Sequence, residues 1–126
     1  MNSGEPLETI LLVDDEAIVL NLCQTILRLG GYAVITAGSG MEALRLVQDN
    51  TGKIDLALLD LMMPGMNGIE LAKRVQNANP GIRVVLMTGY GPNDIARVLS
   101  DNPYRIIWKP FKTESLLRMI ENALDS

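Results

Sequence analysis

Four short apolar runs in this chain each stop on a residue that carries chemistry, and segments of helical periodicity lie between them. Ile10-Leu11-Leu12-Val13 runs into Asp14 and Asp15, and Leu56-Ala57-Leu58-Leu59 into Asp60. Val84-Val85-Leu86-Met87 runs into Thr88, and Ile106-Ile107-Trp108 into Lys109. Unbroken apolar runs of this length suit strands buried on both faces, as in a parallel sheet. Parallel strands end on a common edge, so three carboxylates, a hydroxyl and an ammonium are expected to meet in one crevice.

The intervening segments support that reading. Ala17 to Leu29 places Ile18, Leu22, Ile26 and Leu29 on one helical face and stops at Gly30-Gly31. Ala33-Val34-Ile35-Thr36 is a short strand, and Ser39 with Glu42 forms a capping box for a helix carrying Ala43, Leu44 and Val47. Met62 to Gly68 is a turn-rich loop whose Pro64 and Gly68 bring backbone close to the crevice, and Asn67 caps a helix with Ile69, Ala72 and Val75 inward. Pro80-Gly81 breaks that helix. Gly89-Tyr90-Gly91-Pro92 leads into a short helix closing near Asn102-Pro103. Thr113 caps a final helix with Leu116, Leu117, Ile120 and Leu124 inward. The pattern is (βα)5, an α/β chain with a doubly wound five-stranded parallel sheet that binds its ligand beyond the strand C-termini.

Composition narrows the function classes. At 126 residues, residues 9–126 form one domain behind a short polar tail, 1–8. A net charge of −4 with scattered basic residues argues against a nucleic-acid footprint. No apolar run approaches the roughly 18 residues of a membrane span, and the first residues lack a signal pattern, so a cytoplasmic setting is expected. The single cysteine, Cys23, excludes an internal disulfide and reads as a small buried hydrophobe. With no histidine in the chain, any phosphohistidine donor must come from outside.

Singly, each polar residue has a plain reading: an Asp at a strand end is usually a cap or turn, Thr88 a turn hydroxyl, Lys109 a solvated charge. Jointly they suit phosphoryl transfer. Crowded carboxylates repel unless a cation relieves them, and an all-oxygen site suits Mg²⁺. A carboxylate is itself a nucleophile toward phosphorus, and Lys109 and Thr88 can neutralise and hydrogen-bond the transferred oxygens. Met62, Met63 and Met66 read as loop packing, with the Met62 carbonyl available as a metal ligand.

Leu12-Val13-Asp14-Asp15-Glu16, Asp60 through Gly68, Met87-Thr88-Gly89 and Lys109-Pro110-Phe111 together resemble the motifs of the receiver domain of bacterial two-component response regulators, from Thr9 to the C-terminus. The resemblance implies a flavodoxin-like sheet of order 2-1-3-4-5, with Asp60 as phosphoacceptor. It implies Mg²⁺ held by Asp15, Asp60 and the Met62 carbonyl, with Asp14 assisting through water. Thr88 and Lys109 would bind the phosphoryl oxygens, and Lys109-Pro110 would be cis. A histidine kinase or histidine phosphotransfer domain would be the donor. The surface of the fourth helix, fifth strand and fifth helix would engage a downstream protein, the domain acting as a monomer or weak dimer and not as a turnover enzyme. One position departs from the family: Ile106 stands where an aromatic switch residue is usual. Tyr104, two residues earlier on the same sheet face, and Tyr90, two after Thr88, are the substitutes on offer.

Two rival readings are weaker. A haloacid-dehalogenase-like phosphatase shares the strand-end Asp, Mg²⁺, hydroxyl and Lys, but needs a general acid two residues after the nucleophile, where Met62 stands. A receiver-like interaction module that is never phosphorylated would be expected to have lost the acidic pair, the acceptor or the lysine. No output domain is expected after Ser126, and the Gly-Glu-Pro tail with Met-Thr-Gly-Tyr-Gly resembles receivers fused behind kinase cores.

Overall fold

A computed structural model describes residues 7–89 and 103–125. In chain order the elements are β1 (Thr9–Val13), α1 (Ala17–Leu29), β2 (Ala33–Ala37), α2 (Gly40–Asp49), β3 (Leu56–Asp60), β4 (Met62–Met63), β5 (Met66–Asn67), α3 (Gly68–Ala78), β6 (Arg83–Thr88) and β7 (Arg105–Trp108). The last helix, α4, spans Thr113–Leu124. The main sheet has the order β2-β1-β3-β6-β7 and every pairing in it is parallel. Counting only its own strands, this is the flavodoxin-like order 2-1-3-4-5. The helix expected between Pro92 and Asn102 lies outside the described residues.

Side-chain alternation divides the interior in two. Ile10, Leu12, Leu56, Leu58, Val85, Met87 and Ile107 pack against α1 and α4 through Cys23, Ile26, Leu27, Leu116, Ile120 and Leu124. Leu11, Val13, Ala57, Leu59, Val84 and Leu86 pack against α2 and α3 through Ala43, Val47, Leu71, Ala72 and Val75. Leu12, Leu58, Leu59 and Leu86 are fully buried, each contributing about 1.5–3 kcal/mol relative to exposure. That apolar centre fixes the strands so rigidly that their ends become a defined scaffold.

Two expected helix features are corrected. On α1 only Ile26 of the expected inward row is buried; Ile18, Leu22 and Leu29 are 83%, 56% and 77% exposed. Apolar residues surround this helix, so periodicity admits several faces. The one that docks carries Cys23, Ile26 and Leu27, leaving an uncovered apolar stripe. On the last helix, Lys112 occupies the N-cap position and Thr113 opens the helix without a side-chain capping bond. The other two caps form: Ser39 Oγ accepts from Glu42 N at 3.2 Å and Asn67 Oδ1 from Glu70 N at 2.8 Å. Ile69, Leu44 and Leu117 are half-buried against the core and do not lie within it. Among the described residues no helix is long and apolar enough to cross a membrane.

Candidate functional site

The rows of alternate residues lead directly to the site. On the α1/α4 face, Ile10 and Leu12 point toward Asp14, Leu56 and Leu58 toward Asp60, and Ile107 toward Lys109. Both flanking residues extend the sheet's ladders by one rung: Asp14 N donates to Ala37 O at 3.2 Å, and Lys109 N to Thr88 O at 2.7 Å. Their positions are therefore set by backbone hydrogen bonds and not by loop packing. Thr88 ends the opposite row, Val84-Leu86-Thr88, and its side chain is fully buried.

The charged groups meet at short range. Lys109 Nζ donates to Asp14 Oδ2 at 2.9 Å and stands 3.7 Å from Asp60 Oδ1. Asp14 is wholly buried and Asp60 only 5% exposed. Burial, then the Asp14 charge, pushes the Asp60 carboxyl up from 3.8 to about 6, against the opposing pull of Lys109 and a hydrogen bond from the Met62 backbone. At Lys109, burial favours the neutral amine. The hydrogen bond to Asp14 and the Asp60 and Asp14 charges outweigh it, so the pKa lies above the ordinary lysine value. Cys23, beneath this cluster, is buried and its thiol is pushed up to about 11, first by burial and then by Asp14. That is the inert thiol its sequence context suggested.

One lysine does not balance three carboxylates. Asp14, Asp15 and Asp60 each offer an oxygen within 4.8 Å of the others. An acidic oxygen-only set left with excess negative charge fits a hard divalent cation such as Mg²⁺. The site opens to solvent through a cleft of about 560 Å³ lined by Asp15, Glu16, Asp60, Met62, Met63, Pro64, Gly89 and Lys109. Its mouth is acidic on the α1 side and sulfur-lined on the other, with room for a phosphoryl group.

The segment after Asp60 is more ordered than a turn-rich loop. Met62–Met63 and Met66–Asn67 form a two-rung antiparallel hairpin, with Gly65 at φ +83° in its turn. Two-residue strands embedded in turn-forming residues leave no periodic signal, so sequence reasoning missed it. Gly68 closes the hairpin back on the end of β3: its N–H donates to Leu61 O at 2.7 Å. A Cβ there would stand 2.6 Å from Asp60 O and 2.9 Å from Leu61 Cα, so only glycine fits beside the Asp60 backbone. The Lys109–Pro110 peptide is cis.

The switch candidates separate. Ile106 packs into the α2/α3 core, and Tyr104 lies on the same face with its hydroxyl donating to Gln76 Oε1 of α3 at 2.9 Å. Tyr90 lies outside the described residues. Sequence reasoning did not find the direct Lys109–Asp14 pair, which joins residues 95 positions apart.

Comparison with known proteins agrees with this geometry. The family model for the response regulator receiver domain matches residues 10–121. The chain is 35% identical over 117 residues to the transcriptional regulatory protein GlrR of Escherichia coli K12, covering 92% of this chain and 26% of that protein. It is 32% identical over 118 residues to the sensor kinase CckA of Brucella abortus, covering 93% of this chain and 12% of that protein. It therefore spans about a quarter or less of the length of these two relatives. A crystal structure of a response regulator receiver domain protein from Clostridium thermocellum superposes with a TM-score of 0.84 at 30% identity, over 94% of this chain and 95% of that one. Fold, acidic cluster and family match converge: the chain belongs to the response regulator receiver domains of two-component signalling systems.

Proposed function

We propose that Asp60 accepts a phosphoryl group from a phosphohistidine on a partner kinase or phosphotransfer protein, in the cytoplasm, with Mg²⁺ in the acidic cluster. The supporting observation is the placement of Asp60: a buried carboxylate at a strand end, 3.7 Å from an ammonium, opening on a solvent cleft. An Asp60 oxygen attacks phosphorus, the P–N bond breaks, and the departing imidazole keeps the electron pair and is protonated. Lys109 faces the oxygens that gain charge, and the Thr88 hydroxyl, at the end of the neighbouring strand, supplies a hydrogen bond. Asp15, Asp60 and the Met62 carbonyl would hold the metal, with Asp14 behind them. When bound, Mg²⁺ supplies charge neutralisation to the phosphoryl oxygens and relieves the carboxylate repulsion.

The same site would hydrolyse its acyl phosphate slowly, so the domain acts as a switch and not as a turnover catalyst. Ile106 in place of an aromatic leaves Tyr104 and Tyr90 as the groups able to report the state of Thr88. The downstream partner would bind near β7 and α4, together with the segment 90–102. Incubation with Mg²⁺ and phosphoramidate, followed by mass spectrometry, is expected to show one hydroxylamine-labile phosphoryl group in wild type and none in Asp60→Ala. No adduct in the wild type, or an undiminished adduct in the variant, would defeat the reading. Repeated turnover of small phosphate esters would favour a phosphatase instead.

A further inference from the structure

We propose that the outer strand β2 is a self-association edge, joining two copies of the chain through antiparallel β2 strands about a twofold axis at Ile35. β2 (Ala33–Ala37) ends the main sheet, and among the described residues it pairs with β1 alone. Ala33 N donates to Glu8 O at 3.0 Å, and Asp14 N to Ala37 O at 3.2 Å. Alternate residues of a parallel strand bond the same neighbour, so Ala33, Ile35 and Ala37 are the residues that bond β1. The backbone N–H and C=O of Val34 and Thr36 therefore point outward, and among the described residues no hydrogen bond reaches them.

Outer strands are ordinarily guarded by charge, proline or a bulge. β2 has none of these: Ala33-Val34-Ile35-Thr36-Ala37 is uncharged, and its register with β1 runs unbroken from Thr9↔Ala33 to Val13↔Ala37. No charge occurs between Arg28 and Glu42, the longest such stretch in the chain. Ala33, Val34, Ile35 and Thr36 are all partly exposed. At the two ends of the strand, a Cβ on Gly31 or Gly38 would meet nothing within 4 Å. A second strand can lie along the whole edge.

The occupant is a second copy because the edge matches itself. With the axis at Ile35, Val34 of each copy stands opposite Thr36 of the other. Both residues of each pair turn their bonding groups outward, so each pair closes two N–H···O=C bonds. Ile35 meets its own counterpart at the narrow position between those pairs, beside the α2/α3 core, and Val34 packs beside Thr36 on the α1/α4 face. Cross-strand pairs of β-branched residues suit a pleated surface. The net charge of −4 opposes self-contact, and the uncharged edge is where two copies approach at least cost. A partner recognised by charge finds no handle there. The contact is small, so the dimer is weak, half-formed at about 10 μM to 1 mM. Antiparallel pairing turns the two acidic clefts to opposite ends of one continuous sheet, so association is independent of Asp60 and of the proposed phosphoacceptor chemistry.

Sedimentation equilibrium of the full chain from about 10 μM to 1 mM is expected to show monomer and dimer in exchange. Thr36→Pro removes an outward donor while leaving the β1 ladder intact, and Ile35→Lys sets two like charges on the axis. Each should weaken association about tenfold or more. Leu22→Asp, on the exposed row of α1, and Asp60→Ala should leave it within about twofold of wild type. A wild type still monomeric at about 1 mM, a dimer lost in Leu22→Asp but kept in Thr36→Pro, or association that requires Mg²⁺ and phosphoramidate would overturn the proposal. If a variant does not fold, amide hydrogen exchange of the wild type decides. Val34 and Thr36 should exchange rapidly in dilute solution and about tenfold or more slowly in the dimer, with Ile35 slow in both. Exchange at Val34 and Thr36 that ignores concentration would place any contact elsewhere and defeat the edge.

Discussion

The two faces of the sheet end in different ways. On the α1/α4 face the rows finish in Asp14, Asp60 and Lys109, bonded or ion-paired to one another and anchored by ladder hydrogen bonds. On the α2/α3 face they finish in Thr88 and in Ile106, with Tyr104 one step earlier and tied to Gln76. The first face is built for charge, and its positions are over-determined by backbone. The second is built from apolar packing with a hydroxyl at its tip, and packing of that kind can rearrange. If Asp60 accepts a phosphoryl group as proposed, its acceptance and its reporting fall on opposite sides of one sheet. The edge between β3, β6 and β7 is where they touch.

The sharpest way to break this division is to compare Lys109→Met with Thr88→Ala. Lys109 offers a charge-assisted hydrogen bond, worth about 1.5–3 kcal/mol, and Thr88 a neutral one, worth about 0.5–1.5 kcal/mol. Adduct formation from phosphoramidate should therefore fall about 10- to 100-fold for Lys109→Met but only about 2- to 10-fold for Thr88→Ala. Equal losses would mean that the hydroxyl face shares the chemistry fully.

A second comparison uses pH. The folded Asp60 carboxyl holds its proton up to about 6, the unfolded one to about 3.8. Between those values the folded state binds more protons, so stability falls as pH rises, and the cost is fully present above about 6. Asp60→Asn removes that cost and sacrifices the Lys109 contact, so in metal-free buffer at pH 8 it should stabilise by about 1–2 kcal/mol. The gain should shrink as pH falls below 6, followed by urea midpoints at each pH. A gain that grows toward acid pH would mean that Lys109 dominates Asp60.

Most of the charged face was legible in the sequence. A strand's period of two is insensitive to context, so four apolar runs located Asp14, Asp60, Thr88 and Lys109 correctly at one edge. Gly68 was legible as a close approach because glycine in a turn-rich segment has few other uses. The docked face of α1 was not, since Ile18, Leu22 and Leu29 satisfy helical periodicity as well as Cys23, Ile26 and Leu27 do. Which carboxylate Lys109 would choose was not legible either. That choice depends on a difference of less than an ångström between two oxygens from separate strands.

The smallest effect tests whether the apolar face is independent of the chemistry. Tyr104→Phe keeps the ring that packs beside Ile106 and removes the hydroxyl that reaches Gln76 Oε1 at 2.9 Å. The bond is partly buried and neutral, so thermal or urea unfolding should show a loss of about 0.5–1.5 kcal/mol. Tyr104 lies five residues before Lys109, and its ring packs on the opposite, α2/α3 face. Adduct formation should accordingly stay within about twofold of wild type, a change of less than roughly half a kcal/mol in the barrier. Binding of a downstream partner is the measurement free to change, because the Tyr104–Gln76 bond ties β7 to α3. If Tyr104→Phe instead slows acceptance several-fold, the sheet does not insulate its faces, and strain in the α3–β7 contact reaches Lys109 through β7 itself.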